Sequence, residues 1–194
     1  MKKAIYILLF AALSCTAAAQ NSMMSWQYSV GFATGSLHDY IAPVSWRGVT
    51  YNYHRMVETG ASIGVELGWN VFYEAKPNTT YSKGNVDYTG KQWRYSNNAP
   101  LLFTIGYFVH PDDEITPFAG FGIGTMYSER RTDMGAYAFT SDGWHFELKP
   151  ELGLMYNTEG SSIALSAKYY YGFKTADLPS EGFFTINLGL VIKR

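Results

Sequence analysis

The sequence predicts an all-β chain: an antiparallel up-and-down transmembrane β-barrel of about eight strands, preceded by a cleavable signal peptide. Three observations carry this. The N-terminus is laid out as an export signal, the apolar residues after it recur with a period of two, and the residues opposite them are mostly small rather than charged. The composition agrees, with 47% hydrophobic and 17% aromatic residues but only 16% charged ones.

Met1-Lys2-Lys3 is a cationic start, Ala4 to Leu13 an apolar run, and Ala17-Ala18-Ala19 a small-residue cleavage site before Gln20. The run is too short to span a bilayer and fits a signal peptide over residues 1–19, which leaves one mature domain at 20–194. Losing Lys2 and Lys3 takes the formal net charge from -1 to -3. The single cysteine, Cys15, stands in Ala12-Leu13-Ser14-Cys15, a loose lipidation motif with its Leu one position late. It reads instead as a small residue of the discarded segment. One cysteine excludes a disulfide framework and a thiolate metal cluster. A balance of 15 Lys+Arg against 16 Asp+Glu excludes the basic footprint of a nucleic-acid binder. No later stretch approaches the roughly 20 apolar residues of a membrane helix.

Strands are expected at 25–34, 45–55, 60–73, 98–109, 116–128, 143–156, 161–174 and 183–193, near the roughly 9–11 residues of a tilted membrane strand. In 62–73 one parity carries Ile63, Val65, Leu67, Trp69, Val71 and Tyr73, and the other Ser62, Gly64, Glu66, Gly68, Asn70 and, out of pattern, Phe72. Segment 143–156 repeats this, setting Trp144, Phe146, Leu148, Leu152, Leu154 and Tyr156 against His145, Glu147, Lys149, Glu151 and Gly153. In 116–128, Phe118 and Met126 share a face with Gly120, Gly122 and Gly124. Short turns at 56–59, 110–114 and 157–160 alternate with longer polar loops at 35–44, 74–97, 129–142 and 175–182, which puts both termini on the short-turn side. Pro150 falls inside a strand, where a bulge or a lost ladder bond is expected.

Alternation alone does not distinguish a soluble barrel with an apolar interior from a membrane barrel with an apolar exterior. The polar parity decides it. Ser29, Gly31, Thr50, Gly64, Gly68, Gly106, Ser162, Ser166 and Gly189 suit the cramped lumen of about eight strands rather than a wet surface. The five charges of that parity, Glu66, Glu147, Lys149, Glu151 and Lys168, then point inward with both signs present, since on the lipid side a Lys would cost about 2–4 kcal/mol at mid-bilayer. Trp26, Trp69, Trp144, Tyr107 and Tyr156 sit on the apolar parity near strand ends, as rings with a polar tip do at a water–lipid interface. Val65, Leu67 and Leu152 should therefore face out.

On this pattern, residues 25–194 resemble the small OmpA/OmpX-type outer-membrane β-barrel family. The resemblance implies short periplasmic turns, long surface loops, a surrounding of outer-membrane lipid and insertion by the outer-membrane assembly machinery. The last strand ends Val191-Ile192-Lys193-Arg194, without the family's usual terminal aromatic.

Signals for chemistry are weak. Gly60-Ala61-Ser62-Ile63-Gly64 spells G-x-S-x-G but opens a strand rather than a strand-to-helix elbow. Barrels of this kind that act as enzymes gather His, Ser and acids near the outer rim, and the nearest equivalent is His38-Asp39 with Ser36, Asp142 and His145. His110, Asp112, Asp113 and Glu114 read as a tight turn before a cation site. No cofactor is implied. In the loop 74–97, Tyr81, Tyr88, Trp93, Arg94 and Tyr95 could meet a surface protein or glycan, or could equally extend two strands beyond the membrane. The expected function is a non-enzymatic outer-membrane barrel with a plugged polar interior, acting in envelope integrity or surface interaction. The alternatives are a rim enzyme acting on lipid A or peptides, and a soluble periplasmic barrel that binds an apolar ligand.

Overall fold

A computed structural model of the chain describes residues 22–57, 60–83, 86–135, 137–176 and 178–193, with backbone alone at 78–79, 81–83 and 86–88. Residues 1–19, where a signal peptide with Cys15 is expected, and the side chains of Tyr81 and Tyr88 lie outside the described residues.

Period-two alternation produces the strands β1 (Ser22–Thr34), β2 (Ser45–Met56), β3 (Ala61–Lys83), β4 (Val86–Phe108), β5 (Ile115–Met134), β6 (Tyr137–Asn157), β7 (Ser162–Gly172) and β8 (Glu181–Lys193). Each pairs antiparallel with its neighbour in sequence, and β1 pairs with β8 from Met23↔Lys193 to Thr34↔Gly182, closing the barrel. Within the closed part of the barrel, up to Asn70 of β3 and from Glu147 of β6, every strand has a neighbour on both sides.

The wall is apolar outside. Leu67 and Leu152 are 48% and 68% exposed, whereas Glu66 and Glu147 on the opposite parity are fully buried. Val65 is part exposed. Contiguous exposure of this kind, with Phe103, Ile105, Leu188 and Leu190 also outward, is the reverse of a water-soluble barrel.

Two of the expected loops are strand. β3 and β4 pair out to Lys83↔Val86, and β5 and β6 out to Met134↔Tyr137, so 74–97 and 129–142 form hairpins. Above the rim both faces of a hairpin meet water, so the apolar/polar alternation that marks a half-buried strand fades. Cross-strand pairs hold these segments instead: the Tyr73 and Tyr95 ring centroids lie 5.0 Å apart with the planes tilted by 40°, and the Thr80 and Thr89 hydroxyls lie 3.0 Å apart. Because β4 also pairs with β5 from Phe108↔Phe118 to Trp93↔Asp133, strands β3–β6 make one tall wall beside the shorter β1–β2 and β7–β8.

The first connection is also ordered. Gly35, at φ 55°, turns the chain out of β1 into a short helix, α1 (Gly35–Tyr40). At Pro150 the β6–β7 ladder skips from Leu148↔Tyr171 to Glu151↔Lys168 without changing register, so the proline removes rungs and makes no bulge. Bulges occur between Ser29 and Gly31 in the β1–β2 pairing and between Lys76 and Thr79 in β3–β4.

Candidate functional site: the filled lumen and its clamped mouth

The lumen has three layers. At the short-turn end Met23, Phe108, Met155, Ala164 and Val191 form an apolar cluster, flanked by Met56 and Phe118. The middle is ionic. Near the opposite end Leu37 and Ile41, from α1 and the residue after it, pack with Ala33, Phe72, Leu102, Met126, Tyr170 and Phe183. The interior is thus not polar throughout, as the sequence reading had it. The residues that broke the small-residue parity, Phe72, Phe118 and Met126, belong to these apolar layers, because the ends of a narrow lumen must be filled and glycines cannot fill them.

In the middle layer Lys149 Nζ lies 2.9 Å from Glu66 Oε2 and 2.6 Å from Glu151 Oε2, while Lys168 Nζ lies 2.8 Å from Glu66 and 3.7 Å from Glu151. The Tyr170 hydroxyl donates to Glu66 Oε1 at 2.8 Å. All four ions are buried, and they come from β3, β6 and β7, brought together by barrel curvature rather than by sequence. Opposite charges at these distances offset the desolvation that each would suffer alone. Around them small polar side chains link neighbouring strands along the inner face, with Ser29 donating to Asn187 at 2.5 Å and Ser128 to Asn98 at 2.8 Å.

Glu147 is buried toward the mouth from this cluster, on the rung between Gly124 and Gly172, and neither of its oxygens has a hydrogen-bond partner among the described residues. His145, two residues along the same face, sets Nδ1 2.8 Å from the Phe173 carbonyl. That ring nitrogen therefore carries the proton.

The mouth is closed by a clamp. The guanidinium groups of Arg94 and Arg130 both lie over the Tyr40 ring. Arg94 Nη1 donates to the Tyr40 carbonyl at 3.1 Å, and Arg94 Nη2 to Gln92 at 2.9 Å. Arg130 Nε donates to Glu181 at 2.5 Å and Arg130 Nη2 to Ser36 at 3.1 Å. Ala42 N–H donates to Glu74, which also pairs with Lys76 at 3.3 Å. Arg94 is thus a lining group of the mouth rather than an outward contact, since it shares the inward parity of Gln92 and Ser96. Trp93 and Tyr95 are on the other parity and face outward.

The rim residues singled out for catalysis separate. His38 and Asp39 are exposed on α1, and Asp142 accepts from the Tyr127 hydroxyl at 2.9 Å on the outer wall. His145 is buried inside. Ser62 of the G-x-S-x-G string points into the lumen, 3.2 Å from His54 Nδ1. His110 to Glu114 is a turn in which Asp113 N–H donates to the His110 carbonyl at 3.1 Å. No group of three or more His, Cys, Asp or Glu among the described residues is placed to hold a metal ion.

No family model and no curated protein matches the sequence. Solved structures match by shape. Neisserial surface protein A aligns over 90% of this chain and 97% of its own, with 13% identity and a TM-score of 0.57. OprG of Pseudomonas aeruginosa aligns over 91% and 97%, with 11% identity and a TM-score of 0.55. This chain has the small outer-membrane β-barrel fold. The N-terminal barrel domain of Pseudomonas aeruginosa OprF is similar too, at 12% identity, TM-score 0.52, and coverage of 90% and 98%. Identity this low across nearly complete chains means that the barrel is specified by pattern and packing, which many side-chain sets satisfy.

Proposed function

We propose that the protein is a non-enzymatic integral outer-membrane barrel that works as a closed scaffold, serving envelope integrity or surface contact through its β3–β6 wall. The observation that carries this reading is the lumen: among the described residues, apolar clusters at both ends enclose an ion-paired middle, so side chains rather than an open channel occupy it. The tall wall beyond the rim gives a rigid contact surface, with Lys91 Nζ 5.0 Å from the Trp93 ring centroid, Tyr137 exposed and Arg131 half exposed. Flat aromatics beside cations suit a surface protein or a glycan as partner.

Planar-bilayer recording of the folded protein should give no steady large conductance. Displayed in lipid nanodiscs over glycans and envelope proteins, it should give binding that Trp93→Ala and Tyr95→Ala remove. Lipid A and peptide substrates should be left unchanged by wild type and by a His38→Ala, His145→Ala double variant alike; turnover by wild type that the double variant lacks would establish the rim-enzyme reading instead.

A further inference from the structure

The outer wall carries a groove of about 500 Å³ near the short-turn end. Val65, Phe103 and Ile123 form one bank and Ile63, Ile105 and Phe121 the other, and the backbone at Gly64 and Thr104 forms the floor. Gly64 and Thr104 turn their own side of the sheet to the lumen, so between the two outward rows only backbone is presented. At its β2 end stand Tyr53 and Arg55. Arg55 is exposed, pairs across the ladder with Ile63, and lies one residue before β2 ends at Met56. On the outward parity of the short-turn half of the wall it is the sole charged side chain among the described residues, and none of the ion pairs or hydrogen bonds among those residues engages it.

We propose that this groove docks one glycerophospholipid, with an acyl chain between the two banks and the phosphate on the Arg55 guanidinium. The proposal rests on the membrane-barrel reading. In lipid the banks are already wetted by hydrocarbon, so a channel between two apolar banks favours a chain. A guanidinium exposed at the bilayer edge favours the one anion that every phospholipid brings to that depth, in the planar two-point geometry that arginine and phosphate share. Tyr53 beside it adds a ring with a polar tip at the same level.

The test is native mass spectrometry of the folded, detergent-purified protein after addition of dioleoylphosphatidylglycerol. Wild type should retain one lipid. Arg55→Gln should retain about tenfold less, a loss comparable to one charge-assisted contact. Ile105→Trp, which fills the groove and keeps the charge, should also lose it. Dioleoylglycerol, with the same chains and no phosphate, should not be retained, and Arg47→Gln, a cation at the opposite end of β2, should behave as wild type. Equal retention by wild type and Arg55→Gln, or retention of lipid A in place of phosphatidylglycerol, overturns the proposal. Gel mobility before and after boiling reports folding of each form, and a wild type without a heat-dependent shift contradicts the membrane barrel rather than the groove. If Ile105→Trp does not fold, Arg55→Gln and the phosphate-free probe decide the matter.

Discussion

The ring of Tyr40 carries two cations, with Arg94 Cζ 5.1 Å and Arg130 Cζ 5.2 Å from its centroid. Its hydroxyl meets Thr132 Oγ1 at 2.7 Å, so a single side chain fastens the helix over the lumen to β4 and β5. Tyr40→Ala should destabilise the fold by about 2 kcal/mol and Tyr40→Phe, which keeps the stacked ring, by about 1 kcal/mol. The direct measurement is hydrogen exchange at the Ile41 amide, which bonds the Leu37 carbonyl at 2.7 Å. It should exchange much faster in Tyr40→Ala only.

Glu66 joins both luminal lysines and Tyr170. Glu66→Ala leaves Lys149 and Lys168 to share Glu151, and removing one partner from a buried ion pair costs about 3–5 kcal/mol. Glu66→Gln keeps acceptor geometry and should cost less. Guanidinium unfolding followed by tryptophan fluorescence reads both, and an unchanged midpoint in Glu66→Ala would show that the network contributes little.

The glycines of β5 should respond in a graded way. A methyl at Gly124 would overlap the Leu101 carbonyl oxygen, a backbone atom that cannot move aside. One at Gly122 would press on Lys149 Cε at 3.0 Å, and one at Gly120 would find its nearest neighbour at 3.4 Å. Gly120→Ala should therefore be neutral or stabilising by up to about 1 kcal/mol, because alanine loses less backbone freedom on folding. Gly124→Ala should block recovery of the heat-modifiable band, with Gly122→Ala between them.

Surface proteolysis should distinguish paired from unpaired chain. Arg94, Arg130 and Arg131 all lie on ladder rungs, whereas Lys174 is exposed in the connection between β7 and β8. Trypsin on intact cells should cut first after Lys174. A first cut after Arg130 or Arg131 would mean that the β5–β6 hairpin is not a strand pair.

The sequence by itself determined the strand count, the side of the sheet that faces out and the inward turn of Glu66, Glu147, Lys149, Glu151 and Lys168. Each of these depends on the strict two-residue period of a pleated chain, which any stretch with one lipid-facing side must show. Partners across the lumen were decided only by the tertiary structure. Glu66 meets Lys168 across 102 positions of chain, a distance erased by curvature and strand stagger. The heights of β3–β6 and the clamp on Tyr40 were settled there too. Above the rim the apolar/polar contrast between the two faces fades, so the sequence does not show that the period of two continues, and the structure places Arg94 on the inner face with Gln92 and Ser96 and against Tyr40 of the helix, while Trp93 and Tyr95 look out.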